Sequence, residues 1–337
     1  MRNCLSIILL NCLFFFSCIE EERFVPPKFP FVSQVETINI SDDILISYAY
    51  GMCVDEKYIY ILALVEDTWL QVYDKTDGRY IGGFIRNGQG PGELIMGYRM
   101  GWDNEKEILS VYDQNLNKLL KYSVNSNDII PEFSLVEEIN FNNYSGIVRE
   151  AWETKSGYIV DGQLGKHSVN LKRYQMLQSG IVVDEYNTFP VSRPETFLQS
   201  RTTFSPLRDK MAVGVLFGAT LETFDLSNQK IECTSVHQFY PPKLRITDHK
   251  ITPEHDMIYG FASLTASDDK IYSVWVENHN PNAANSLAVF DWKGNPLAKY
   301  ETEKLLFMIS ASIDEPEKVY ALAYNNEIGF SLIYIQL

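Results

Sequence analysis

Leu70-Gln71-Val72-Tyr73 is a short apolar run ending on an aromatic ring, and the same kind of run returns five more times. The later copies are Leu119-Leu120-Lys121-Tyr122, Asn170-Leu171-Lys172-Arg173-Tyr174, Leu221-Glu222-Thr223-Phe224, Leu287-Ala288-Val289-Phe290 and Leu332-Ile333-Tyr334. Successive aromatics lie 49, 52, 50, 66 and 44 residues apart. A second apolar run precedes each, starting at Ile59, Ile108, Tyr158, Met211, Ile271 and Val319, which leaves 14, 14, 16, 13, 19 and 15 residues from its start to the aromatic. Two runs in near-constant relation, six times over, point to one repeated structural module.

The runs are rich in Tyr, Ile, Val and Phe and are broken by Asn, Asp and Gly, which is the pattern of strands and turns. In the first unit four strands are expected, near 46–53, 58–64, 69–74 and 80–85. Lys75-Thr76-Asp77-Gly78 and, in the fifth unit, Trp292-Lys293-Gly294-Asn295 supply turn residues between them. Six four-stranded units read as an all-β chain folded as a six-bladed β-propeller. A pair of β-sandwiches would not require equal repeats. The sixth unit reaches Leu337 directly after its third strand, while Val35-Glu36-Thr37-Ile38-Asn39-Ile40 is a strand with no unit of its own. The N-terminal strand is therefore expected to complete the last blade and remove an open edge.

The six units, Gly88-Gln89-Gly90-Pro91-Gly92-Glu93 between the first two, and Val289-Phe290-Asp291-Trp292-Lys293-Gly294-Asn295-Pro296-Leu297 together resemble the TolB-like six-bladed propeller lipoproteins. The resemblance spans residues 33–337 and implies the fold. It carries no catalytic motif, because that family consists mostly of binding proteins and proteins without an assigned activity.

The chain has 337 residues, with 44 acidic and 29 basic side chains and a formal net charge of −15. That balance argues against nucleic acid as a partner, since phosphate backbones reward clusters of Lys and Arg. Residues 5–16 depart from the average, being almost wholly apolar after the single positive charge of Arg2. This is the order of a secretory signal, too short for a transmembrane helix, which needs about 20 apolar residues. Phe15-Phe16-Ser17-Cys18 resembles a loose bacterial lipobox, so 1–17 is expected to be a lipoprotein signal peptide and Cys18 the lipidated residue. Three acyl chains on that cysteine would make a stable membrane anchor. Glu20-Glu21-Glu22 with Pro26-Pro27 makes 18–32 an acidic, proline-rich tether. It resembles the export tag of some Gram-negative lipoproteins, which implies a lipid-anchored place at the outer membrane, with either leaflet open. Residues 33–337 are left for the propeller. Cys53 and Cys233 sit in separate apolar runs and are read as buried free thiols.

In such blades the second-to-third-strand loops and the blade-to-blade connections open on one face. That face gathers residues 87–94, 163–168, 193–201, 240–256 and 277–285, with His167, His249, His255 and His279 among them. Long loops on a rigid scaffold are where function usually sits. His249 and His255 with Asp248 and Asp256 put metal-donor atoms on one loop, but a spacing of six across Pro253 matches no ligand motif, so no metal is assigned. Gly88–Glu93 lacks the Gly-Lys-Ser/Thr ending of a phosphate loop and reads as a tight turn in which Glu93 braces the backbone. Asp74-Lys75-Thr76-Asp77-Gly78 lacks the later Glu of a calcium loop. The tryptophans are expected in the core, with Trp102 and Trp152 the exceptions near the channel, and Asp103 and Glu153 beside them at its mouth. No Gly-x-Ser-x-Gly occurs.

Two functions follow. The first is a non-enzymatic, membrane-anchored monomer, without a cofactor, that binds a protein or a glycan through its loop-rich face. The alternative is a metal-dependent hydrolase or lyase at the central channel, which needs carboxylate, Asn or His ligands converging from the inner strands, where Glu150, Glu153, Asp103 and Ser310 are available but no spacing picks them out.

Overall fold

The described residues of the six aromatic-ended runs lie in the third of four antiparallel strands in each blade, and the six runs ahead of them lie in the second. The computed structural model describes residues 24–126, 129–142, 146–164, 172–179, 181–187, 199–247, 250–325, 327 and 329–337. The expected signal peptide and Cys18 lie outside the described residues. From the centre outward, blade one comprises Gly51–Val54, Tyr58–Val65, Thr68–Asp74 and Tyr80–Arg86. Blade two comprises Gly97–Asp103, Ile108–Asp113, Lys118–Asn125 and Glu132–Asn140. Blade three comprises Gly146–Thr154, Gly157–Leu164, Lys172–Gln178 and Ile181–Asn187. Blade four comprises Ser200–Phe204, Lys210–Val215, Ala219–Asp225 and Glu232–Tyr240. Blade five comprises Tyr259–Ala266, Lys270–Asn278, Ser286–Asp291 and Pro296–Glu301. Blade six comprises Leu305–Ala311, Lys318–Asn325, Gly329–Gln336 and, outermost, Thr37–Ile44.

The repeat is set by register. Ile59 faces Tyr73, Met211 faces Phe224 and Ile271 faces Phe290, while in blades two, three and six the aromatic faces Leu109, Asp161 and Tyr320 of the same second strand, so the two runs seen in sequence are neighbouring strands. Their side chains fill the wedges between blades, where Trp275 is fully buried among Phe239, Phe261 and Phe290. Both faces of a blade are covered by neighbours, which is why the strands read as apolar runs rather than alternating ones. Packing there is close enough that a Cβ on Gly214 would meet the Phe261 side chain at 2.5 Å.

The ring closes as expected. The N-terminal strand pairs antiparallel with the chain's last strand, Thr37 opposite Ile335 and Ile38 opposite Tyr334. Two differences stand out. First, blade one's inner strand is Gly51–Val54, not 46–53. The chain must travel from the outermost strand of blade six to the centre, three strand spacings of about 4.8 Å each, and residues 45–50 make that crossing. Second, the end of the expected tether, 24–32, is laid on the ring. The Val25 amide donates to the Gln238 carbonyl at 2.9 Å, and the Phe29 ring lies 5.6 Å from that of Phe290. Phe31–Gln34 then adds a parallel fifth strand to blade five, Phe31 opposite Ala298. The apolar side chains beyond Pro26-Pro27 and the unpaired edge of blade five explain the docking. Cys53 is a buried free thiol, whereas Cys233, in an outer strand, is only half-buried.

Candidate functional site

The inner strands enclose a channel that narrows at a waist and opens into two cavities. Each inner strand starts at the face of the second-to-third-strand loops and blade connections, here called the upper face, and ends at the lower face. Met52, Arg99, Met100, Thr202, Leu264 and Ile309 border both cavities and form the waist. The upper cavity measures about 990 Å³ and the lower about 190 Å³.

The lower end holds four of the residues singled out in sequence. Trp102 stacks on Tyr60 with centroids 5.6 Å apart, and Trp152 packs on Phe204 at 5.8 Å. Both border the lower cavity, yet as packing elements. Glu153 accepts from Lys121 Nζ at 2.9 Å and from Arg208 at 3.2 Å. Asp103 pairs with Lys106 at 3.2 Å. Burial raises the Asp103 carboxyl, but the Lys106 amide and the charges of Arg208 and Lys106 outweigh it and hold it below its usual range. The four residues thus come together in a self-compensated plug, with Arg208 reaching across from blade four.

The histidines are placed elsewhere. His279 Nδ1 lies 2.9 Å from the Met257 carbonyl in the upper loops, and His255 is exposed on the turn after a hairpin that pairs Leu244–Thr247 with Lys250–Pro253. His167 and His249 lie outside the described residues. No group of three His, Cys, Asp or Glu among the described residues could hold a metal ion. Glu93 braces its loop as expected: its Oε2 accepts the Gly90 amide at 2.8 Å, and Gly92 takes φ +70°. Asp74 accepts the Thr76 amide at 2.8 Å, an ordinary hairpin turn.

The upper cavity takes Gln199, Arg201, Asn280 and Asn282, among others, from the segments 193–201 and 277–285 expected on this face, and the rest of its lining from residues that the sequence did not single out. One wall carries Arg99 from the inner strand of blade two and Arg201 from that of blade four, and Glu150 of the blade-three inner strand is buried beside Arg99. Arg99 donates to Glu150 at 2.8 Å and lies over the Tyr98 ring, 4.4 Å from its centroid. Burial pulls the Arg99 guanidinium down, but the charge and hydrogen bond of Glu150, with Tyr98 and Tyr48, together more than offset it. Burial pushes the Glu150 carboxyl up, against the pull of Arg99. Arg201 donates Nε to the Ala262 carbonyl at 2.9 Å and Nη1 to the Ser200 carbonyl at 3.1 Å. Ala262 sits where the blade-five ladder shifts register, so its carbonyl is free to accept. No carboxylate pairs with Arg201 among the described residues, and burial, followed by the charge of Arg99, lowers its pKa. The remaining wall, from blades five, six and one, carries Leu306, Phe307 and Ile309, with Tyr48 and Tyr50 at the rim. Tyr48 is half exposed and meets Tyr50 edge-on at 4.9 Å and Phe307 at 5.4 Å. Gln199, Asn280 and Asn282 add amide groups to the mouth.

Comparison with known proteins agrees with this architecture. A family model described as TolB-like 6-blade propeller-like matches residues 28–314. No curated protein matches. Among solved structures, a candidate exported protein from Bacteroides fragilis is similar, with a TM-score of 0.56 at 15% identity over 90% of this chain and 98% of that one. A member of the duf4221 family from Bacteroides vulgatus gives 0.55 at 12% identity, over 90% of this chain and 96% of that one. The calcium-binding protein regucalcin from Agrobacterium tumefaciens gives 0.52 at 10%, over 91% of this chain and 96% of that one. At such identities the likeness concerns the fold.

Proposed function

We propose, from the premise that this chain belongs to the TolB-like 6-blade propeller-like family, that it is an exported propeller that binds a glycan in its upper cavity. The observation that carries this reading is the cavity itself. About 990 Å³ lies at the end where the loops converge, within the size range of small-ligand sites. Its mouth offers tyrosine rings for stacking on a sugar face and the amides of Gln199, Asn280 and Asn282 for hydroxyl groups. Export rests on Arg2, the apolar run 5–16 and Ser17-Cys18, and is in keeping with the similar candidate exported protein. Lipidation at Cys18 would hold the ring at a membrane, with 19–23 as spacer. The metal-dependent alternative is disfavoured at this place, because Arg99 and Arg201 would repel a divalent cation.

The test is a glycan array probed with the mature chain, followed by titration of its hits. Saturable binding that weakens at least tenfold in Tyr48→Ala is the expected result. Silence across the array, or binding indifferent to Tyr48, overturns the reading.

A further inference from the structure

The upper wall carries an electrostatic imbalance that a neutral sugar would leave uncorrected. A guanidinium has five N–H donors in a fixed fork. Arg201 spends two of them on backbone carbonyls and has no ionic partner among the described residues. Arg99 and Arg201 feel each other's charge, and among the described residues Glu150 is the carboxylate that stands against the pair. Two fixed positive charges against one negative leave the wall short of a single anion, in a protein whose net charge is −15. Cationic side chains facing a half-enclosed cavity on an acidic chain focus anions there rather than repel them.

We infer that the upper cavity binds an acidic saccharide, a hexuronate residue or chain end, whose single carboxylate docks on the free edge of the Arg201 guanidinium. The inference rests on the proposed glycan-binding reading and adds the ligand's charge to it. The planar fork of arginine matches a carboxylate in two parallel hydrogen bonds, which a lysine would not supply. The count of charges selects a monoanion. A phosphate monoester, close to −2 at neutral pH, would return the wall to a net negative charge. Tyr48, Tyr50 and Arg201 line the same cavity, so the ring of the same sugar is assigned to the tyrosine rim.

The experiment is calorimetric titration of the mature chain with an aldobiouronate, a disaccharide carrying one hexuronate residue, and with the same disaccharide reduced at its carboxyl group. The acidic form is expected to bind at least tenfold more tightly. In Arg201→Gln that preference should vanish while binding of the reduced form changes less than threefold. Arg201→Lys should keep part of the preference, and the far-ultraviolet circular dichroism of both variants reports that the ring still forms. Equal affinity for the two disaccharides in the native chain overturns the carboxylate assignment and leaves glycan binding standing. A preference that persists in Arg201→Gln removes Arg201 as the partner and overturns it as well. Failure of both disaccharides, with array binding to neutral glycans, again sinks only the acidic assignment, whereas a silent array sinks both.

Discussion

The two ends of the channel are built from the same six inner strands and solve the problem of buried charge in opposite ways. At the lower end Lys106, Lys121 and Arg208 converge on Glu153, with Asp103 taking a second contact from Lys106. At the upper end Arg99 has Glu150, and Arg201 has backbone carbonyls alone. The lower network links blades two, three and four and leaves little room between them. The upper one leaves a cavity about five times larger in volume, with donors unspent. Compensation at one end and deficit at the other separate a stabilising element from a receptive one. Removing a charge should therefore do different things at the two ends.

The largest effect is expected at the lower end. Glu153→Ala strips Arg208 of its ion-pair partner among the described residues and leaves Lys121 only Glu137, at 2.8 Å. Leaving a buried cation unpaired costs about 3 kcal/mol or more. Chemical denaturation should show a loss of that order. A change under about 1 kcal/mol would mean that the plug contributes no more than a surface ion pair.

A second lower-face network extends the contrast. Lys75, in the first blade's hairpin turn, reaches Asp314 at 2.6 Å and Glu315 at 3.0 Å in blade six, across the seam where the ring closes. Burial tends to raise the Glu315 carboxyl, but hydrogen bonds from Lys318, Tyr320 and Lys75 bring it down to about 2. Asp314 is held below its usual range by the same lysine and Ser312, again against burial. A carboxylate with a depressed folded pKa takes up its proton more readily when unfolded. Its contribution is complete above about pH 4.5 and disappears as the pH falls to about 2. The native chain should lose stability across that window, and Lys75→Met, costing about 1 kcal/mol at neutral pH, should lose less of it on acidification. Urea midpoints measured from pH 5 to pH 2 decide the point, and parallel curves for the two proteins would refute it. The arginines of the upper wall do not titrate there.

The same division explains what could be read from the sequence. The blades were legible because Ile59 and Tyr73, or Ile271 and Phe290, stand in the paired second and third strands that each blade repeats. The lower plug was partly legible, since Trp102-Asp103 and Trp152-Glu153 stand at equivalent ends of neighbouring inner strands. The upper wall was legible only as the loop segments 193–201 and 277–285, and not as a set of charges. Arg99 and Glu150 are 51 residues apart, and Tyr98-Arg99-Met100 or Ser200-Arg201-Thr202 alone looks like a solvated charge. The available signal was a charge inside a strand expected to line the channel. Phe29 was missed for a related reason, because the prolines before it exclude a regular strand without excluding an aromatic ring docked on Trp275. Histidines drew attention as residue types, while the cavity is defined by position around the ring.

The smallest effect is the sharpest test of the contrast. Arg201→Met keeps most of the side chain's length and removes its charge. The loss of two hydrogen bonds to the Ala262 and Ser200 carbonyls costs about 1 kcal/mol, because the upper cavity lets water replace the donor. Relief of an uncompensated, partly desolvated cation next to Arg99 returns a similar amount, in keeping with the downward shift of the Arg201 pKa. The two terms oppose each other, so the net change in unfolding free energy should stay within about 1 kcal/mol of zero. Glu153→Ala has no such relief and falls well outside that interval. If Arg201→Met destabilised the ring as much as Glu153→Ala does, Arg201 would be a structural tie between blades four and five, and the upper wall would have no spare charge to offer a ligand. If it left stability unchanged and abolished the preference for the aldobiouronate, the unspent donors at this end would be accounted for by binding.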